Sequence, residues 1–342
     1  MKSLRTRLLL PAVALLLAVT SCEREAYSPE KAAFAQGEDL IMQEVATFRT
    51  ETRQLYNNRK FDELEARGNE ARASKAVFGN GTWKIYHFYD SLECRSDEPE
   101  TMWQLHEQIH QEWEKKFPES ITARVAHADF LTAYAWHARG SGYSNEVTEE
   151  GWRLFGDRLA SARTLLDQSK DLPVKCPVWW QVGMTVAIGQ SWSKAEFGKL
   201  FEEAKAFEPQ YFIYDLSQAK FLMPRWYGEA GDWEAAAEKE IDRPGGLGLE
   251  GYARVISDMR GYYDDIFSET KASWRKARQG FEAMHARYPA SAEILNDYAR
   301  VACAAEDREL AKKLFAEIGN KVIPYCWGGT KRFKQMRNWA ND

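Results

Sequence analysis

The stretch FGKLFEEAKAFEP, Phe197 to Pro209, decides the fold class. Its apolar residues Phe197, Leu200, Phe201, Ala204 and Phe207 recur at three- and four-residue steps, which places them on one side of an α-helix. Within it, Phe197 is followed by Phe201, Ala204 and Pro209, at +4, +7 and +12. The stretch ARQGFEAMHARYP repeats that spacing at Ala277, Phe281, Met284 and Pro289. A third copy runs through Ala311, Phe315 and Ile318, with Pro324 one residue late, so Pro289 and Pro324 stand 35 residues apart. Trp152, Phe155, Leu159, Ala162 and Leu166 form another apolar face, behind the acids Glu149 and Glu150 that suit a helix N-terminus. No series of alternating strands with hairpin turns interrupts these helices. The aromatic segment Thr82–Tyr89 could pass for a strand, but its helical surroundings make it a helix.

This spacing resembles the second-helix half of a tetratricopeptide repeat, in which the apolar positions pack on the first helix and the proline opens the next one. The 35-residue step is close to that family's period of about 34. Other steps are longer, so the repeats are degenerate and carry insertions. One such helix pair cannot bury its apolar face alone, and stacking supplies the missing core. The expected fold is all-α, an irregular α-solenoid of tetratricopeptide-like helix pairs.

The chain has 342 residues and a hydrophobic share of 44%, enough for a sizeable core, which excludes a disordered or low-complexity protein. Residues 1–21 read as a signal peptide: a basic Met1–Arg7, then an apolar Leu8–Val19, too short to span a bilayer. Small residues then run into Cys22, which resembles the bacterial lipoprotein box, where the cysteine is acylated and becomes the mature N-terminus. Several acyl chains on one residue give the stable anchoring that a single chain cannot. Residues 22–36 are the expected acylated cysteine and tether, and 37–342 the helical-repeat domain. Glu23 after the cysteine favours the outer membrane, by resemblance to lipoprotein sorting, so the expected location is the periplasmic side of the bacterial envelope. Removing the three basic residues of 1–21 leaves 43 Lys+Arg against 51 Asp+Glu, a net charge of −8. That argues against a nucleic-acid partner. Cys94, Cys176, Cys303 and Cys326 remain; they allow three disulfide pairings, or serve as small buried apolar residues.

The string Tyr134–Tyr143, continuing through Val147 to Trp152 and Phe155, together with Pro224–Gly228 and Gly231–Trp233, is similar to a bacterial family described as a domain of unknown function (number 4034). The resemblance extends from about Phe48 to Trp327. It implies a tetratricopeptide-like helical fold and carries no activity, so no catalytic residue follows from it.

Two short motifs carry possible chemistry. His106-Glu107-Gln108-Ile109-His110 spells the zincin signature, in which two histidines on one helix face hold Zn²⁺ and the glutamate acts as base. Yet counting back from Pro118 puts His106, His110 and Trp113 at the apolar positions of the repeat, where they would pack against the preceding helix. The packing reading is preferred and no cofactor is expected; the zinc hydrolase is the alternative. Gly246-Leu247-Gly248-Leu249-Glu250-Gly251 spells a dinucleotide fingerprint, but the strand it requires is missing, so it reads as an interhelix loop.

The remaining signal is aromatic and basic. Arg139, Tyr143 and Trp152 surround one glycine-rich loop, and Trp179, Trp180, Arg225, Trp226 and Tyr227 belong to later helices. Trp, Tyr and Arg anchor binding hot spots and also stack on sugar rings; the same residues could instead fill the gaps of an irregular solenoid. The expected function is a non-catalytic scaffold for an envelope protein or peptide, with a glycan or cell-wall module as a further alternative.

Overall fold

The computed structural model describes residues 39–342, and these form 16 α-helices with no strand among them. The expected signal peptide, acylated Cys22 and tether lie outside the described residues. The first half comprises α1 (Leu40–Asn57), α2 (Phe61–Ser74), α3 (Lys84–Asp90), α4 (Glu100–Lys116), α5 (Ile121–Arg139), α6 (Glu149–Ser169), α7 (Pro177–Gly189) and α8 (Lys194–Phe207). The second comprises α9 (Ile213–Phe221), α10 (Asp232–Lys239), α11 (Leu249–Met259), α12 (Ile266–Glu269), α13 (Trp274–Arg287), α14 (Ala292–Ala304), α15 (Arg308–Ile318) and α16 (Thr330–Asn341). The aromatic segment before Asp90 is helical, as its surroundings require, and only an isolated bridge between Val77 and Trp83 precedes it.

Side chains start these helices. The Ser120 and Thr148 hydroxyls accept from the Ala123 and Gly151 amides, both at 3.0 Å, and Ser193 forms a reciprocal capping box with Glu196 on α8. The repeat prolines work at the other end. Phe117, Glu208 and Tyr288 precede Pro118, Pro209 and Pro289, and all three are C-caps with ψ between 59° and 84°. A proline ring disfavours the α conformation in the residue before it. These prolines therefore terminate α4, α8 and α13 and stand in the loop ahead of the next helix, a correction to the expectation that each opens one. Pro324 does open a turn of 3₁₀ helix, and Pro177 opens α7.

Packing is sequential, with a second layer of contact. Each of α4 to α7 packs on its successor, and α5, α7, α9 and α11 also pack in series on one another, which is how stacked helix pairs build a core. Two apolar clusters result, one between Tyr56 and Phe221 and one between Ala219 and Ala340. They meet at α9, which gives Tyr214 and Phe221 to the first and Ala219 to the second. Phe197 of α8 stacks on Phe221 with ring centres 3.9 Å apart. Full burial of one such ring contributes about 2–3 kcal/mol. The repeat residues Phe197, Phe201, Ala204, Ala277, Phe281, Met284, Ala311, Phe315 and Ile318 are all buried.

The array also closes across its ends. Asn80 Nδ2 donates to Glu293 Oε2 at 2.7 Å, Arg254 Nη2 donates to the Asn80 carbonyl at 3.2 Å, and the Tyr325 hydroxyl meets Met42 Sδ at 3.6 Å. Residues some 170 to 280 positions apart thus touch, whereas the units of an open solenoid contact only their neighbours.

Candidate binding surface

The last turn of α5, the loop 140–148, the first turn of α6 and the turn 224–228 build one aromatic and basic surface. Its centre is Trp136. The Arg139 guanidinium lies over the Trp136 ring at 5.7 Å and over the Trp152 ring at 5.5 Å. Trp226 meets Trp136 edge to face at 5.7 Å, and Phe155 supports both Trp136 and Trp152 from beneath. Arg139 and Trp136 fall three residues apart on α5 and so share a face. Arg139 also donates to the carbonyls of Gly140 and Gly142 in the loop beyond its helix, both at 3.1 Å. That leaves the guanidinium oriented by the backbone and sandwiched by indoles.

Four of the expected residues, Arg139, Trp152, Trp226 and Tyr227, are joined by ring contacts through Trp136, and Tyr143 stands on the adjoining loop, 73% exposed. Trp152, expected within the apolar face of α6, is 40% exposed, whereas Phe155, Leu159, Ala162 and Leu166 are buried. The first turn of α6 starts close against α5 here, since a Cβ at Gly151 would fall 2.9 Å from the Ala138 carbonyl oxygen. Tyr227 is anchored inward, its hydroxyl donating to the Ile188 carbonyl at 2.5 Å, and Arg225 stands over the Tyr262 ring at 6.0 Å.

Trp179 and Trp180 do not belong to this surface. They sit at the other end of α7, about 12 Å along the helix from Ile188. Trp179 Nε1 donates at 3.0 Å to both the Leu166 carbonyl and Ser169 Oγ, closing the end of α6, and Trp180 stacks on Phe207 at 4.6 Å. Both residues knit helices together. Trp136 is the contributor that the sequence reading left off the site; its signal was the three-residue step to Arg139.

The H-E-x-x-H residues are packed. His106 and His110 are buried on α4, each with its ring about 5 Å from that of Tyr56 on α1, and His110 also stacks on Phe130 of α5 at 4.9 Å. Their neighbours therefore include the following helix as well as an earlier one. Burial, followed by the nearby Arg53 guanidinium, lowers the His106 pKa to about 4. Burial and then the neighbouring His127 push His110 well below the ordinary histidine value. On the same layer burial, reinforced by Asp90, raises the Asp129 carboxyl to about 7. Among the described residues, no group of three or more His, Cys, Asp or Glu side chains is placed to hold a metal ion. The cysteines 94, 176, 303 and 326 are free thiols. The glycine-rich motif is a loop leading into α11, with Gly245 and Gly248 at φ 71° and 61° and no strand before it.

No protein-family model matches the chain, and neither a curated protein nor a solved structure matches it. Among the described residues no helix is long and apolar enough to cross a membrane.

Proposed function

We propose that this chain is a non-catalytic scaffold that binds an envelope protein or peptide, held at the membrane through Cys22. The observation that carries the reading is the convergence of Arg139, Trp136, Trp152 and Trp226, which lie on three separate segments of sequence, into one surface with exposed Trp152 and Tyr143 at its edge. A part-exposed indole beside an oriented guanidinium has the composition of a binding hot spot, where a few aromatic and arginine anchors dominate affinity. The lipoprotein-like cysteine and the acidic mature chain support a location at the envelope surface without nucleic acid as partner. The resemblance to the domain of unknown function is part of the same proposal and adds no chemistry to it.

The test is crosslinking and pull-down from intact envelopes with wild type, Tyr143→Ala, Trp152→Ala and Arg139→Ala. The first two side chains are exposed enough to be removed without opening the core. Trp226, which packs against both apolar clusters, is a poor probe because its loss also weakens the fold. The expected result is one reproducible partner whose recovery falls at least about tenfold in the variants, the loss of one hot-spot anchor. Equal recovery by folded variants, or no reproducible partner for wild type, refutes the surface. Cys22→Ala should move the protein from the membrane to the soluble fraction. Quenching of Trp fluorescence by cell-wall fragments, lost in Trp152→Ala, would instead favour the glycan reading.

A further inference from the structure

Closure of the array leaves a cleft of about 360 Å³ between the segment 75–83, the loops after α8 and before α11, and the end of α13. That is within the size range of small-molecule sites. Trp83 and Phe212 supply buried aromatic wall, and two carboxylates, Glu208 and Glu250, are each only 6% exposed. Each carboxylate is met by a cation from the rim. Lys75 Nζ lies 2.6 Å from Glu208 Oε2 although the lysine side chain is 61% exposed, and Arg287 Nη1 lies 3.1 Å from Glu250 Oε2 with 52% of its side chain exposed.

The two pairs are not equivalent. Glu250 keeps a second, buried partner in Arg254, whose Nη2 is 3.0 Å away, so Arg287 can leave without stranding a buried charge. Glu208, among the described residues, has Lys75 as its one ionic partner, so Lys75 can leave only if another cation takes its place. An uncompensated buried carboxylate costs several kcal/mol. A simple anion would meet two buried carboxylates whose cations are already committed. A molecule with a primary ammonium at one end and a carboxylate at the other avoids both penalties. Its ammonium replaces Lys75 on Glu208, and its carboxylate takes Arg287 and the released Lys75, so charge is conserved throughout. Its apolar body would lie against Trp83 and Phe212.

Gly81, at φ 77°, forms part of the cleft wall and packs closely on its far side, since a Cβ there would clash with the Arg254 guanidinium and come within 2.7 Å of the Tyr288 ring. Glu208 and Tyr288 are the C-caps that Pro209 and Pro289 force out of the helix, so the repeat prolines deliver two side chains to the same cavity.

We infer that the cleft between the 75–83 segment and the ends of α8 and α13 binds a small zwitterion, a free amino acid or short peptide, with Glu208 receiving its ammonium group and Arg287 its carboxylate. The site is separate from the aromatic surface and its test is independent of it. The experiment is calorimetric titration of the full chain with L-phenylalanine and with L-alanyl-L-phenylalanine, two lengths of the same chemistry. Saturable binding of at least one is expected, weakened at least about tenfold by acetylating its amine, by amidating its carboxylate, or by Glu208→Gln. Tyr143→Ala should leave that binding unchanged. Absence of saturable binding of both probes up to about 10 mM overturns the inference. Undiminished binding of the acetylated and amidated probes to wild type overturns it equally, whatever the folding of Glu208→Gln.

Discussion

Gly280→Ala sets two well-characterised effects against each other, and the structure decides the winner. Gly280 lies inside α13, where alanine is favoured over glycine by about 1 kcal/mol on helix propensity alone. A Cβ built there, however, falls 2.0 Å from the Leu249 carbonyl oxygen and 2.7 Å from the Ala253 Cβ, both on α11. An ordinary carbon–oxygen approach is about 3.3 Å, so α11 and α13 must separate by about 1.3 Å at their crossing. The obstructing atom belongs to the backbone and cannot swing aside. Forcing a methyl group into such a contact costs about 1–3 kcal/mol and occasionally more, which exceeds the propensity gain across most of that range. We expect net destabilisation of up to about 2 kcal/mol, a fall in Tm of up to roughly 3 °C for a chain of this size. Gly156 in α6 and Gly198 in α8 are the matched controls, since a Cβ at either meets nothing within 4 Å. There the propensity term acts alone, and Gly156→Ala and Gly198→Ala should each stabilise by about 0.5–1 kcal/mol. Differential scanning calorimetry of the three variants checks the sign. A Gly280→Ala variant that melts above wild type, alongside the two controls, would refute the close crossing of α11 and α13.

Asp129→Asn should stabilise the protein in a pH-dependent way. Burial holds the native carboxyl protonated up to about pH 7 whereas the unfolded chain releases that proton near 3.9, so wild-type stability falls as pH rises between those values. The advantage of the asparagine in chemical denaturation should therefore grow from about pH 4 to 7 and then level, and a pH-independent advantage would count against a buried neutral Asp129. Lys205→Met should cost about 3–5 kcal/mol, because the lysine is 3% exposed and its Nζ lies 2.9 Å from the buried Asp215 carboxylate. The double variant Lys205→Met/Asp215→Leu should recover much of that loss, and a single variant within about 1 kcal/mol of wild type would show that the pair contributes little.

The helical class was legible because its signal is local. Phe197, Phe201 and Ala204 announce a buried stripe through spacing alone, and all three are in the core. Ser193 and Glu196 announce a capping box within four residues of sequence. The prolines were harder, because one residue type both ends helices and opens them. The deciding quantity is the conformation of the residue before each, as at Phe117, Glu208 and Tyr288.

The surface around Trp136 was half legible for a related reason. Arg139 and Trp136 are neighbours by helical step, so their stacking follows from sequence, whereas the approach of Trp226 depends on how α5 and the turn after α9 are placed by the intervening helices. Trp179 and Trp180 have the same chemistry as Trp226 but lie at the far end of α7, where they close α6 and pack on Phe207. Residue type alone cannot tell which half-buried indole meets Trp136 and which closes a helix end, since both uses exploit the same large apolar area and single polar atom. The cleft was not legible at all. Lys75, Glu208 and Arg287 carry no motif, yet they line one cleft, beside which a buried Asn80 ties the 75–83 segment to Arg254 and Glu293. In a nearest-neighbour stack, each helix pair can be read from its own 35 residues or so. Contacts between residues 213 and 174 positions apart, as at Asn80, depend on the placement of every helix between them, and no local spacing encodes them.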